Sequence, residues 1–228
     1  MNKILSKSVK KTKITETKSK KLTAQDIKDI QEKELKKIKK FNKIFLKATP
    51  SEKRIMIAQD VIEQIKLGKY IPEAGEYFKT SNKIKNQDLQ CVITSPKFKC
   101  NVCELGGLFT SIVKITNEFK ADGSGYIESY EMKDKLKAYF SVEQLSLVEA
   151  AFEENSFGQA FGSSTVPTKN FLLAESYRKR KKFEKYPLYK VNETDFDYNK
   201  RKQENDRLAM VSICKNIISN KGSFRPSR

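Results

Sequence analysis

Residues 120–131, Lys-Ala-Asp-Gly-Ser-Gly-Tyr-Ile-Glu-Ser-Tyr-Glu, have the spacing of an EF-hand loop. Such a loop needs side-chain oxygens at positions 1, 3, 5 and 12, a backbone carbonyl at 7 and glycine at 6. Asp122, Ser124, Tyr126 (through its carbonyl) and Glu131 fall on positions 3, 5, 7 and 12, and Gly125 falls on 6. They are the candidate Ca²⁺ ligands. Position 1 is Lys120, which exchanges an oxygen ligand for a cation and adds repulsion beside the metal. The competing expectation is a helix–loop–helix turn whose glycines serve geometry.

The cysteines are the second set. Cys100 and Cys103 form a single CxxC, with Cys91 just before and Cys214 far downstream. Four thiolates would make a Zn²⁺ site if Cys91 and Cys214 folded inward, although a zinc ribbon carries a second CxxC. A CxxC at a helix start could instead be redox-active, because a helix N-terminus lowers a thiol pKa. The third reading is buried thiols that serve only as core. Ca²⁺ and Zn²⁺ are therefore the two cofactors the residues suggest, and no motif requires either.

The third set is basic. Lys36, Lys37, Lys39, Lys40 and Lys43 fill the polar positions of an amphipathic stretch. Further on, Tyr177, Arg178, Lys179, Arg180, Lys181, Lys182 and Phe183 mix charge with rings. Arg and Lys hold phosphates, and rings stack on bases. Either run can also be a solvated face or a linker.

The charge of the whole chain places these runs. The 228 residues carry 46 Lys plus Arg against 28 Asp plus Glu, a net +18. Residues 1–50 hold +11, residues 178–228 hold +9, and residues 51–177 hold −2. Basic ends on a near-neutral middle predict an anionic partner, nucleic acid or an acidic protein surface. There is no His. That excludes Ser–His and Cys–His dyads, His-ligated metals and imidazole switches. No Walker loop, dinucleotide fingerprint or zinc-protease helix is present, and no motif pairs a nucleophile with its base, so the reading leans away from an enzyme.

These residues need elements to position them. Residues 1–22, rich in Lys, Ser and Thr, predict a disordered basic arm. Thr23 with Asp26 caps a basic amphipathic helix over about 24–47, within a segment of residues 23–48. Ser51 is expected to cap the next helix, carrying Ile55, Ala58, Val61, Ile62 and Ile65 to a stop at Gly68. Leu89–Ile93 reads as a short strand or extended segment. Residues 101–119 read as a buried helix in which Gly106 and Gly107 allow close helix–helix approach. Helices are also expected at 128–140 and after Ser141. Residues 178–203 show no clear period, and a last helix spans about 204–219 within a final segment of 204–228. The expected fold is all-α or mainly α, a single helical domain with 51–177 as its core. No run approaches the ~20 apolar residues of a membrane span, and the start lacks a secretory h-region.

Four stretches carry a resemblance: Ile57–Tyr70, Cys100–Phe109, Tyr139–Phe152 and Lys215–Phe224. Together they resemble a family of uncharacterised proteins of phages and bacteria, over about residues 51–224. The resemblance implies origin and setting, a bacterial cytoplasm or a virion rather than secretion, and brings no activity with it. The expectation is a non-enzymatic protein whose basic ends bind nucleic acid or an acidic protein surface. A calcium-binding or zinc-binding module is the alternative.

Overall fold

α4 (Glu104–Thr116) is buried along every residue from Glu104 to Ile115. A helix covered on all sides needs neighbours on all sides. A computed structural model supplies them, describing residues 23–81, 89–119, 129–153, 169–183 and 194–226. α1 (Ala24–Lys47), α2 (Pro50–Lys66), α3 (Leu89–Thr94), α5 (Ser129–Lys137) and α6 (Val142–Phe152) all pack on α4. α7 (Lys169–Phe183) lies on α6, and α8 (Asp195–Ser219) closes the bundle against α2, α6 and α7. With these eight helices among the described residues, the fold is mainly α, in one domain, as the sequence predicts. No described helix is long and apolar enough to cross a membrane.

The described strands are short: β1 (Tyr70–Pro72), β2 (Lys79–Thr80) and β3 (Cys100–Val102). β3 lies between the others, parallel to β1 and antiparallel to β2, with Tyr70 opposite Cys100. The chain leaving β1 bends over the start of α4. There the Glu73 N–H donates to Val102 O at 3.0 Å, and the Cys103 N–H donates to Glu76 O. A Cβ on Gly106 would stand 1.6 Å from the Tyr77 carbonyl oxygen, so this loop crossing requires glycine. At Gly107 the corresponding atom would make ordinary contacts with Val61 and Met210. The close approach expected of both glycines thus belongs to Gly106, and to a loop rather than a helix.

Other expectations change in detail. α1 has the predicted cap, Thr23 with Asp26, and the predicted length. α2 starts earlier than predicted. Thr49 is its N-cap and forms a reciprocal capping box with Glu52, while Pro50 occupies the first turn, where it lacks no needed N–H. Leu89–Ile93 is helical, inside α3, packed on α1 and α4. Residues 178–203 are not one aperiodic segment, because α7 runs to Phe183 and α8 begins at Asp195.

The chain after α8 is held firmly. Arg54 Nε donates to Gly222 O at 2.6 Å, and its Nη1 donates to Tyr139 O at 3.2 Å. Ser51 Oγ bonds the Lys221 carbonyl. Phe224 is buried edge-on to Tyr177, with ring centroids 5.4 Å apart, and its N–H donates to Gln144 Oε1 at 2.6 Å. This clasp ties α2, α6 and α7 to the segment beyond α8.

Candidate functional site

α1 displays its lysines as predicted. Its buried side is marked by Ile38 and Phe45. Lys36, Lys37, Lys39, Lys40 and Lys43, and also Lys47, are all exposed on the rest of the circumference. Lys36, Lys40, Lys43 and Lys47 recur at helical spacing and so form one stripe. None of these lysines is in an ion pair with a carboxylate among the described residues. The stripe is a line of exposed positive charge about 16 Å long, with Glu52 lining the same hollow as Lys43 and Lys47.

The 177–183 run is placed differently. Tyr177, Arg178 and Lys182 are buried, not presented to a ligand. Tyr177 bonds Ser212 at 2.7 Å. Arg178 donates to the Glu153 carbonyl. Lys179 is exposed but pairs with Glu175 at 2.9 Å. Arg180 and Lys181 stand beside the Tyr177 ring, at 5.6 and 6.0 Å from its centroid. Phe183 ends α7. This face of α7 is therefore core, and the phosphate-and-stacking role predicted for Tyr177, Arg178 and Lys182 is corrected. The physical reason is a buried counter-charge: Lys182, 2 % exposed, donates to Asp206 Oδ1 of α8 at 2.7 Å and lies 4.6 Å from the Phe152 ring centroid.

Asp206 is the centre of a polar network under the β1–α4 crossing. Its Oδ2 accepts from the Ala74 N–H at 3.1 Å. Glu153 accepts from the Gly75 N–H at 2.8 Å, and Tyr77 donates to Glu149 at 3.0 Å. Burial pushes Glu153 up to about 7, held down in part by the Gly75 N–H and by Lys182. Burial also raises Glu149. Above Asp206 opens a cleft of about 450 Å³, between Pro72 and Glu73 on one side and Phe196, Asn199 and Gln203 on the other. Lys200 and Lys202 also line it. Sequence reasoning missed these residues. Phe196, Asn199, Lys200 and Gln203 do repeat at helical spacing, and that was the available signal.

All four cysteines are free thiols. Cys91 is on α3 and Cys100 is in β3. Cys103 is the N-cap of α4, its sulfur accepting from the Gly106 N–H at 3.5 Å. Cys214 of α8 donates to Glu104 Oε1 at 3.2 Å. Burial pushes the Cys100, Cys103 and Cys214 thiols up, which opposes a reactive thiolate. Among the described residues no three or more Cys, Asp or Glu side chains gather to hold a metal ion. Asp122, Ser124 and Tyr126 of the calcium reading lie outside the described residues, as does the 1–22 arm. Glu131 is in the first turn of α5. The chain matches no protein-family model, no curated protein and no solved structure.

Proposed function

We propose that the protein binds the phosphate backbone of nucleic acid through the lysine stripe of α1, without catalysing a reaction. One observation carries the reading: Lys36, Lys40, Lys43 and Lys47 are exposed along one line of a helix, with no carboxylate partner among the described residues. A surface lysine that is not neutralised at home gains most from a polyanion, through release of the counterions condensed on it. The stripe's length of about 16 Å faces several phosphates, which follow at about 3.4 Å of axis per strand. The Lys-rich residues 1–22 precede this helix and would add to the same attraction. On this reading the setting is the one the family resemblance implies, a bacterial cytoplasm or a virion.

The test is a variant with Lys36, Lys40, Lys43 and Lys47 all replaced by Gln, which leaves the buried side of α1 untouched. Binding to a 30-base-pair duplex of mixed sequence is followed by anisotropy between 50 and 200 mM salt. The slope of log K against log salt should become shallower by about 3–4, at roughly 0.9 for each phosphate no longer neutralised. An unchanged slope overturns the reading. Binding of the native protein to polyglutamate but not to the duplex would replace nucleic acid by an acidic protein surface.

A further inference from the structure

The cleft above Asp206 brings four kinds of group to one small volume. Phe196 is 75 % exposed and lines the cleft, so its ring is open to a ligand there. Asn199 and Gln203 stand one and two turns further along the same side of α8, each with an amide that both donates and accepts. Lys200 and Lys202 supply exposed positive charge. Glu73 supplies a carboxylate, steadied by a bond from Asn101 Nδ2.

The base of the cleft matters as much as its walls. Asp206 would repel an anion if it were free. It is not free: Lys182 bonds one oxygen and the Ala74 N–H the other. The negative charge at the floor is thereby matched, and the two outer lysines face one remaining carboxylate, Glu73 on the opposite wall. A volume of about 450 Å³ is in the range of small-molecule sites, and it suits one heterocycle with a sugar and a phosphate.

We infer that this cleft binds a single unstacked nucleotide, with Phe196 stacking on the base, Asn199 and Gln203 bonding its edge, and Lys200 and Lys202 holding its phosphate. The inference rests on the nucleic-acid reading for its choice of ligand, and deepens it. A duplex can be held by phosphate contacts on α1, but its bases are stacked and cannot enter the cleft. A single strand, whose bases can be splayed out, can engage both. The same chemistry fits a free mononucleotide, so the experiment has an arm for each source.

Phe196→Ala and Gln203→Ala are made in the full chain, alongside the four-lysine variant. Each protein is titrated with a mixed 20-nucleotide single strand, the corresponding duplex, and AMP, GMP, CMP and UMP. Phe196→Ala should weaken the single strand about tenfold, the size expected for one base–ring stack, and leave the duplex unchanged. Gln203→Ala should weaken it in the same direction. Mononucleotide binding that disappears with Phe196→Ala assigns the site to free nucleotides as well. No change in single-strand or mononucleotide binding with either variant overturns the inference. Equal weakening of strand and duplex by Phe196→Ala also overturns it. The four-lysine variant separates the two proposals: if it changes nothing while Phe196→Ala weakens the single strand, the α1 reading fails and the cleft stands.

Discussion

Gly106 and Gly107 are adjacent on α4 and answer to different neighbours. Gly106 lies under the Tyr77 backbone, which cannot yield as a side-chain tip can, so Gly106→Ala should cost about 3 kcal/mol or more. Gly107 has room for a methyl group, and alanine is the better helix former by about 1 kcal/mol, so Gly107→Ala should be neutral or mildly stabilising. Urea midpoints of the two variants check this, and equal losses would contradict it. Glu104, 1 % exposed, is the other informative residue. Burial raises its carboxyl from an ordinary 4.5 to about 8, with the Cys214 thiol bond opposing part of the rise. The native state therefore keeps this proton between those two values while the unfolded chain releases it. Its effect on stability is nil below about 4.5, grows unfavourable as pH rises, and levels off above 8. The full loss is about 4–5 kcal/mol from a shift of that size. Glu104→Gln keeps an acceptor for Cys214 and removes the titration. Its melting temperature should match the native protein's at about pH 4 and exceed it by roughly 8 °C or more at about pH 8.5. A difference that is the same at both pH values would contradict the assignment.

At the scale of elements, α7 and α8 show both what the sequence discloses and what it hides. α1 is legible because its cap, its apolar stripe and its lysines all agree. The exposed lysine stripe on it is legible for the same reason. The first half of α8 is not, because the positions it turns inward are Arg201, Asn205 and Asp206, which a hydrophobic pattern assigns to solvent. Lys182 is hidden in the same way. The pair across the two helices is visible only once both are folded. Leu89–Ile93 failed for another reason: a short apolar run fits strand or helix equally, and the packing of α1 and α4 decided. The cleft was beyond reach because Pro72 and Glu73 meet α8 only in three dimensions. The buried pair itself makes a prediction. Lys182→Met leaves Asp206 charged and unmatched by a cation, and should cost about 3–5 kcal/mol. Lys182→Met with Asp206→Asn should cost less than the two single losses added, by about 1–3 kcal/mol. Strict additivity in denaturant titrations would show that the two side chains do not act as a pair.

At the scale of the molecule, the segment beyond α8 is part of the core. Phe224 joins the Tyr177 ring to α6 through Gln144, and Arg54 grips the neighbouring backbone. Phe224→Ala should cost about 3–5 kcal/mol, lowering the urea midpoint without changing the m-value. A loss below about 1 kcal/mol would mean that the clasp is incidental to stability. The charge profile takes on a spatial meaning here too. Of the basic ends, α1 holds its lysines outward, while α7 and α8 neutralise several of theirs internally.

The clasp also has a consequence for time. Arg54 and Gly222 are 168 residues apart, and α2 and α8 share an extensive interface across nearly that whole separation. At about 5–20 residues per second, a ribosome needs on the order of 10–30 s to supply α8 after α2 has emerged. Through that interval the side of α2 that packs on α8 waits uncovered. The topology thus builds a delay into biosynthesis, during which this apolar side of α2 stays open to water.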